Sequence, residues 1–536
     1  MAVGAFTFVL HSHLPYCRRA GRWPHGEEWI HEAASETYLP LLDQLFRLRA
    51  AGVPARLTIS LTPVLVEQLA DPLVIANLAD FLRERRDLAA ADVGRFERAG
   101  EPHFAAVAAW YRDRFTHLLR LLTDEFGGHL IAAFKELEDT GLIEIATSAA
   151  THGYLPLMER DSTIWAQVAV GVRTHRRHFG RAPRSFWLPE CAYRPTFQKD
   201  GPAGPYVKPG LHWFLAQHGV RIFFVETHAI EGGMPVGKAM GDAIGPYSAI
   251  PKRYVVPPPE YVPPTMRTTY LPYWVEQPEI VALGRNNRTG LQVWSAQHGY
   301  PGDFLYREFH KRDGLSGLHY WRVTGADVDL GAKQPWDPTA AFAQAQVHAD
   351  HFVGLVEDLL RAFYTEHGRF GVIAAAYDTE LFGHWWFEGV DWLVGVLERL
   401  ARNPSVQLTK AATHAAEHPP EDVLVLPESS WGQGGGHFTW LNADTRWMWP
   451  VIHRLERQME ILAERYAGAT GDLRVVLNQI AREALLAQAS DWPFLITTGQ
   501  ARDYAMERFE NHVERFDRLV ALLDQPERLG GAPPGR

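Results

Sequence analysis

Short runs of apolar and β-branched residues recur along this chain, and six of them end at or just ahead of a histidine or a carboxylate. FTFVL ends at His11, LIEIATS leads to His152, RSFWLP ends at Glu190, RIFFVE precedes His228, LQVWSA precedes His298 and GVIAAAY ends at Asp378. Runs of this length read as strands, and between them lie helical stretches such as Glu27 to Ala51, with Leu41, Leu42, Leu45, Phe46 and Leu48 ahead of Gly52. Strands that alternate with helices build a parallel β/α barrel, whose strand C-termini open onto one mouth. Polar residues that merely mark where strands leave the core would explain each case singly. They explain poorly why histidine and carboxylate recur.

At 536 residues the chain outgrows a single hydrophobic core, so a second, smaller domain is expected beside the barrel. From about Asp444 the sequence turns almost wholly helical, through RLERQMEILAERYAG, LRVVLNQIAREALLAQAS and ARDYAMERFENHVERFDRLVALL, before the frayed tail GGAPPGR. Lys199 to Gly210 and VVPPPEYVPP (Val255 to Pro264), rich in proline or glycine, read as excursions from the barrel. The net charge of −10 disfavours nucleic acid and anionic lipid as partners. No apolar run approaches the ~18 residues of a membrane span, and MAVGAFTFVL reads as a buried strand, not a signal peptide. Cys17 and Cys191 are too few for a disulfide framework and fit small apolar packing. A cytoplasmic location is expected.

His11 and His13 stand two apart at a strand end, so both point to one face, to hold a metal or to hydrogen-bond sugar hydroxyls. Neither HExxH nor CxxC supplies further ligands, so no metal and no cofactor is expected. Glu190 follows Pro189 between Trp187 and Tyr193, and Asp378 runs directly into His384, Trp385 and Trp386. Carboxylates in an aromatic setting are costly unless they have a function. Two of them from distant strands are what glycoside cleavage requires, one at the anomeric carbon and one protonating the leaving oxygen. The 18 tryptophans suit stacking on sugar rings, or simply fill a large core. GQGGG after Trp431 lacks the strand-to-helix setting of a nucleotide loop. Asp491 in ASDWPF either reaches the active site from the helical domain or seals the domain interface.

The motifs HSHLP, ATHGYLP, FWLPECAY, YDTELFGHWW and ASDWPF resemble, in order and spacing, those of glycoside hydrolase family 57, in particular of its 1,4-α-glucan branching members. The likeness runs over nearly the whole chain, including ETYLPLL, LYREFHKRD and LPESSWGQGGGHFTWLN. It implies an incomplete (β/α)7 barrel with a small inserted region and an all-helical C-terminal domain. The corresponding division is 1–190 and 236–415 for the two parts of the barrel, 191–235 for the insertion and 416–536 for the helical domain. On the same resemblance Glu190 matches the nucleophile and Asp378 the general acid/base. His11, His13 and His152 match residues lining the donor site, Trp294, Trp431 and Trp440 match glucan platforms, and Asp491 joins the substrate-binding set. The implied activity is a retaining transfer that cuts α-1,4 bonds of an α-glucan and forms α-1,6 branches. Amylase-like hydrolysis is the alternative. A glucan-binding scaffold with a dead barrel is disfavoured by the presence of both carboxylates and the surrounding histidines, and a metal-dependent glycosidase or deacetylase using His11 and His13 is separated from the rest by metal analysis of the purified protein.

Branching members carry a tyrosine on a loop over the site, and alignment of EGGMPVGKAMGDAIGP puts Ala239 there, with Tyr247 a few residues on. A glycosyl enzyme partitions between a glucan hydroxyl and water according to how well the acceptor is held and water excluded. The native enzyme should therefore show a measurable hydrolytic fraction, and Ala239→Tyr should raise the ratio of new α-1,6 linkages to new reducing ends. If Tyr247 already closes the site, Tyr247→Ala raises hydrolysis instead; an unchanged ratio in both variants removes the loop from the argument.

Overall fold

The computed structural model describes residues 2–201, 204–235, 262–294 and 299–523. Ala239, Tyr247 and His298 lie outside the described residues. Seven parallel strands form the central sheet: β1 (Gly4–Ser12), β2 (Leu57–Leu61), β3 (Ile143–Ser148), β4 (Ser185–Trp187), β7 (Ile222–Val225), β9 (Gln277–Gly284) and β10 (Gly371–Asp378). Between β4 and β7, an antiparallel hairpin of β5 (Phe197–Gly201) and β6 (Gly204–Lys208) stands off the sheet. Short strands β8 (Tyr273–Val275), β11 (Val406–Leu408) and β12 (Val423–Leu424) extend it at β9, β1 and β8. Just past β9, Arg285 makes a parallel bridge to Ala374 of β10, so the seven strands return on themselves as a distorted barrel.

Strand alternation decides what the barrel holds. All nine residues of β1 are buried. Phe6 and Phe8 point outward, where Phe8 meets Phe352 and Trp392 of the helices Pro338–His367 and Gly389–Ala401. Ala5, Thr7, Val9 and His11 occupy the other face, as do Val372, Ala374, Ala376 and Asp378 on β10. The interior is thus lined by small residues low in the barrel and by functional ones at its mouth, and the parallel register sets His11 directly beside Asp378.

Two departures from the sequence reading concern strands. LQVW is not a strand but part of the helix Asn287–Trp294. Asn286 Oδ1 accepts from Thr289 N at 3.0 Å, and Thr289, Gly290, Val293 and Trp294 are buried at helical spacing, which overrides the β propensity of the run. The strand of that unit is β9. The second is β2, which ends in Leu61 and carried no polar flag.

The C-terminal region from Met448 is helical, comprising Met448–Arg465, Gly471–Ala487, Asp491–Thr498 and Arg502–Leu523. It docks on the loop after β3, where Ser490 N donates to His152 O at 3.0 Å, and on the helix Asp161–Phe179, where Gln167 Nε2 donates to Gln488 Oε1 at 3.0 Å. No helix among the described residues is long and apolar enough to cross a membrane.

The barrel seam rests on a buried ion pair. Arg285 bonds Glu226, at the end of β7, and its Nε donates to Ala376 O of β10 at 3.1 Å. Removing one partner of such a pair strands a buried charge. Arg285→Met should therefore cost ~3–5 kcal/mol of stability, and adding Glu226→Gln should recover much of it. Denaturant unfolding of the two variants checks this, and an unchanged midpoint for Arg285→Met would remove the pair from the account of the seam.

Candidate active site

Above the strand ends lies a cavity of about 300 Å³ whose lining includes His11, His13, His152, Glu190, Asp378, Trp431 and Asp491. Each arrives by a different route. His11 and Asp378 end adjacent strands. Glu190 follows the Leu188–Pro189 turn and adopts a left-handed backbone (φ 62°, ψ 24°), with Cys191 next to it also left-handed (φ 48°). Two consecutive non-glycine residues there are strained by ~1–3 kcal/mol each and persist only when the surroundings hold them.

Those surroundings are hydrogen bonds. Trp431 Nε1 donates to Glu190 Oε2 at 2.7 Å, and Ser490 Oγ donates to Oε1 at 2.8 Å. Trp431 N also donates to Glu190 O at 3.0 Å. The Ser490 hydroxyl has one proton, and it goes to Glu190, so Ser490 Oγ accepts from His152 Nδ1 at 2.8 Å. A neutral His152 protonated on Nδ1 must then accept at Nε2, where His11 Nε2 lies 3.0 Å away and donates. His11 Nδ1 in turn accepts from Ser60 Oγ at 3.3 Å. The chain Ser60, His11, His152, Ser490, Glu190 thus runs in one direction and delivers its last donor to the carboxylate.

His13 stacks on His152 with ring centroids 3.9 Å apart, and His11 stacks on Trp187 at 4.7 Å. His13 Nδ1 meets Thr62 Oγ1 at 3.1 Å and Nε2 meets the Asp491 carboxylate at 3.0 Å. Burial opposes a charge on His13, but Asp491 outweighs it with help from Glu190 and Glu380, so its pKa is raised. His13, His152 and Asp491 bring one ligand-type atom each within 4.8 Å of one another. Each of these groups has a hydrogen-bond partner in the arrangement just described.

Trp294 and Trp440 are not among the lining residues. Trp294 is buried at the end of its helix in the outer core. Trp440 is 1% exposed, stacked on Tyr154 at 4.3 Å, with its ring against Gly432, where a Cβ would come within 2.5 Å. It props up the loop that carries Trp431. The cavity also holds residues the sequence reading did not single out, including Glu380, Trp23, Trp29 and Phe309. Ser490, the donor to Glu190, was likewise passed over although it precedes Asp491. Both cysteines are free and buried, and burial pushes the Cys191 thiol far up, which leaves it unreactive.

Glu380 lies two residues beyond Asp378, and its Oε1 accepts from Tyr38 OH and from His13 N at 3.1 Å. Burial, then the charge of Asp378, raises its pKa to about 7. The cavity therefore holds a carboxyl that keeps its proton close to neutrality.

Comparison with known proteins agrees with this geometry. The family model described as "Glycosyl hydrolase family 57" matches residues 7–427, and that described as "1,4-alpha-glucan branching enzyme, C-terminal" matches residues 451–529. A 1,4-alpha-glucan branching enzyme of Thermococcus kodakarensis is 43% identical over 98% of this chain and 75% of its own length. The crystal structure of a GH57-type branching enzyme from Pyrococcus horikoshii superposes with a TM-score of 0.87 at 41% identity, covering 99% of this chain and 92% of that one. The structure of the α-amylase AmyC from Thermotoga maritima superposes with a TM-score of 0.80 at 30% identity, covering 98% and 95%.

The raised pKa of Glu380 has a testable sign. Between its ordinary value of 4.5 and about 7 the folded protein keeps a proton that the unfolded chain has lost, so the contribution of Glu380 to stability is full below about pH 4.5 and falls as the pH rises to about 7. Glu380→Gln keeps an acceptor oxygen for Tyr38 and His13 and cannot ionise. Relative to the native protein, the variant should gain stability across that window, on the order of 1 kcal/mol per pH unit. Thermal unfolding of both proteins between pH 4.5 and 7 checks this; a difference that stays flat means that Glu380 is charged in the fold.

Proposed function

The chain belongs to glycosyl hydrolase family 57, and from that premise we propose that it is a retaining α-glucan transglycosylase, a 1,4-α-glucan branching enzyme. What carries this reading beyond the family is the C-terminal region: residues 451–529 match the model specific to branching enzymes, and Ser490 and Asp491 from that region enter the site.

In the proposed reaction Glu190, held by Ser490 and Trp431, attacks the anomeric carbon of a glucan donor. Asp378 gives its proton to the departing glycosidic oxygen, and the α-1,4 bond breaks as a β-glycosyl ester to Glu190 forms. The shortened chain leaves. Asp378, now a carboxylate, takes the proton of an acceptor 6-hydroxyl, whose oxygen displaces Glu190 and makes an α-1,6 bond. Two inversions give net retention. His11, His13, His152 and Asp491 line the donor side of the cavity, and Trp431 offers an aromatic face. The residues suffice without a metal or cofactor.

The same reading divides the chain into a first barrel part, 1–190, and an inserted region, 191–235, whose excursion is the β5–β6 hairpin and whose last strand rejoins the sheet. A second barrel part, 236–415, and a mostly helical domain, 416–536, follow. It carries with it an α-glucan partner of the amylose or glycogen type and a cytoplasmic location, with which two free buried thiols are compatible. Hydrolysis by the same intermediate is the second reading, favoured by the likeness to the Thermotoga α-amylase.

Incubation with amylose should generate new α-1,6 linkages in excess of new reducing ends, and activity should survive exhaustive chelation. Asp378→Asn should lower turnover ~10²–10⁴-fold, the range for loss of an acid/base group, and Glu190→Gln should abolish the glycosyl intermediate. Reducing ends without branches would decide for the hydrolase; loss of activity on chelation would overturn the metal-free mechanism.

A further inference from the structure

Beside the active-site cavity a second crevice, of about 30 Å³, opens between the helix Pro102–Arg120, the turn holding Glu36 and the segment carrying Arg307 and Arg312. Four arginines face it. Three are matched by carboxylates: Arg85 Nη2 donates to Glu28 Oε1 at 2.6 Å, Arg307 Nη2 to Glu36 Oε1 at 2.8 Å and Arg312 Nη1 to Glu32 Oε1 at 3.0 Å. The fourth, Arg114, makes no hydrogen bond or ion pair among the described residues. Its guanidinium rests over Phe387 at 4.8 Å and Trp110 at 5.5 Å. Arg307 is also incompletely satisfied, since its Nε is buried without a hydrogen-bond partner.

Among the described residues no acid comes within ion-pair distance of Arg114. His319, which also faces the crevice, is held neutral by burial and by Arg307 and Arg312. Burial raises the pKa of Glu388, whose Oε1 accepts from Arg307 N and Trp336 Nε1, to about 7. Asp391, whose pKa burial pushes up, exerts the largest favourable charge effect on Arg114 but forms no ion pair with it. An arginine without a direct acceptor therefore stands beside a buried N–H donor, and that donor is costly until an acceptor fills it.

We propose that this crevice binds a small monovalent anion of chloride's size, held between the Arg114 guanidinium and Nε of Arg307. Its volume admits one or two water-sized species, which excludes phosphate esters and sugars. The site adjoins the chemistry. Glu32 and Arg312 line both the crevice and the active-site cavity, and Glu36 accepts from Arg307 on one oxygen while its other meets Nδ1 of the cavity residue His384 at 2.6 Å. An anion on Arg307 shares that arginine with Glu36, one bond from the substrate cavity.

Crystals of the full chain soaked in sodium bromide should show an anomalous peak in the crevice at Arg114. In solution, chloride should raise the unfolding temperature saturably, by ~2 °C or more over methanesulfonate at equal ionic strength, because methanesulfonate is too large to enter. Arg114→Met keeps an apolar stem over Phe387 and should lose the chloride increment. Absence of halide density in the crevice, or a chloride increment that survives in Arg114→Met, overturns the proposal. If Arg114→Met does not fold, the bromide map of the native protein decides alone.

Discussion

A carboxylate that must stay charged in an aromatic-walled cavity has to be given donors, and much of this structure follows from supplying them to Glu190. The barrel alone does not provide them, because its backbone N–H groups are spent on the sheet. Trp431 comes from the segment after the barrel, and Ser490 from the edge of the helical domain. Ser490 can aim its only proton at Glu190 because His152 fills its acceptor site, and His152 has the right tautomer because His11 donates to its far nitrogen. The order reaches down to Ser60 on β2. Docking of the helical domain and readiness of the nucleophile are therefore one event: Ser490 N is tied to His152 O, so the domain cannot move away without leaving Glu190 short of a donor.

The barrel was legible where parallel strands, buried on both faces, read as continuous apolar runs. β1, β3, β4, β7 and β10 stand where such runs were found. Selecting runs by the residue at their end is also what hid β2 and β9, since Leu61 and Gly284 carry no chemistry. LQVW misled for the opposite reason: Val and Trp favour a strand locally, and the cap from Asn286 overrides them. In the site, residues whose motif announces them were found together. Those whose part depends on what lies opposite were not, as with Glu380, whose partner Tyr38 is 342 positions away. Trp294 and Trp440 illustrate the other side of this. Tryptophan serves a sugar platform and a packed core equally well, and burial decides between them only in three dimensions.

Charge placement at the mouth is as deliberate as the hydrogen bonding. Glu380 and Asp378 share one cavity, and burial, with the neighbouring Asp378 second, keeps a proton on Glu380 near neutrality. Asp491 does the reverse for His13, favouring the charged imidazole that burial would discharge. The result is a cavity whose acids and bases are separated by environment and not by residue type.

Branching and hydrolysis share every step up to the glycosyl enzyme, so the barrel and its catalytic pair cannot by themselves fix the product. The choice is a difference between two second steps, and a tenfold change in product ratio needs only ~1.4 kcal/mol. A fraction of one stacking contact or one immobilised loop supplies that. The mouth of the cavity is where such differences act: Trp23, 64% exposed, stands at its rim with Arg312 over its face, and Trp29, Phe309 and Trp385 continue the aromatic wall inward. A branching enzyme and an amylase can therefore share almost the whole fold. What separates them should lie in these rim residues, the parts free to change without disturbing the donors to Glu190.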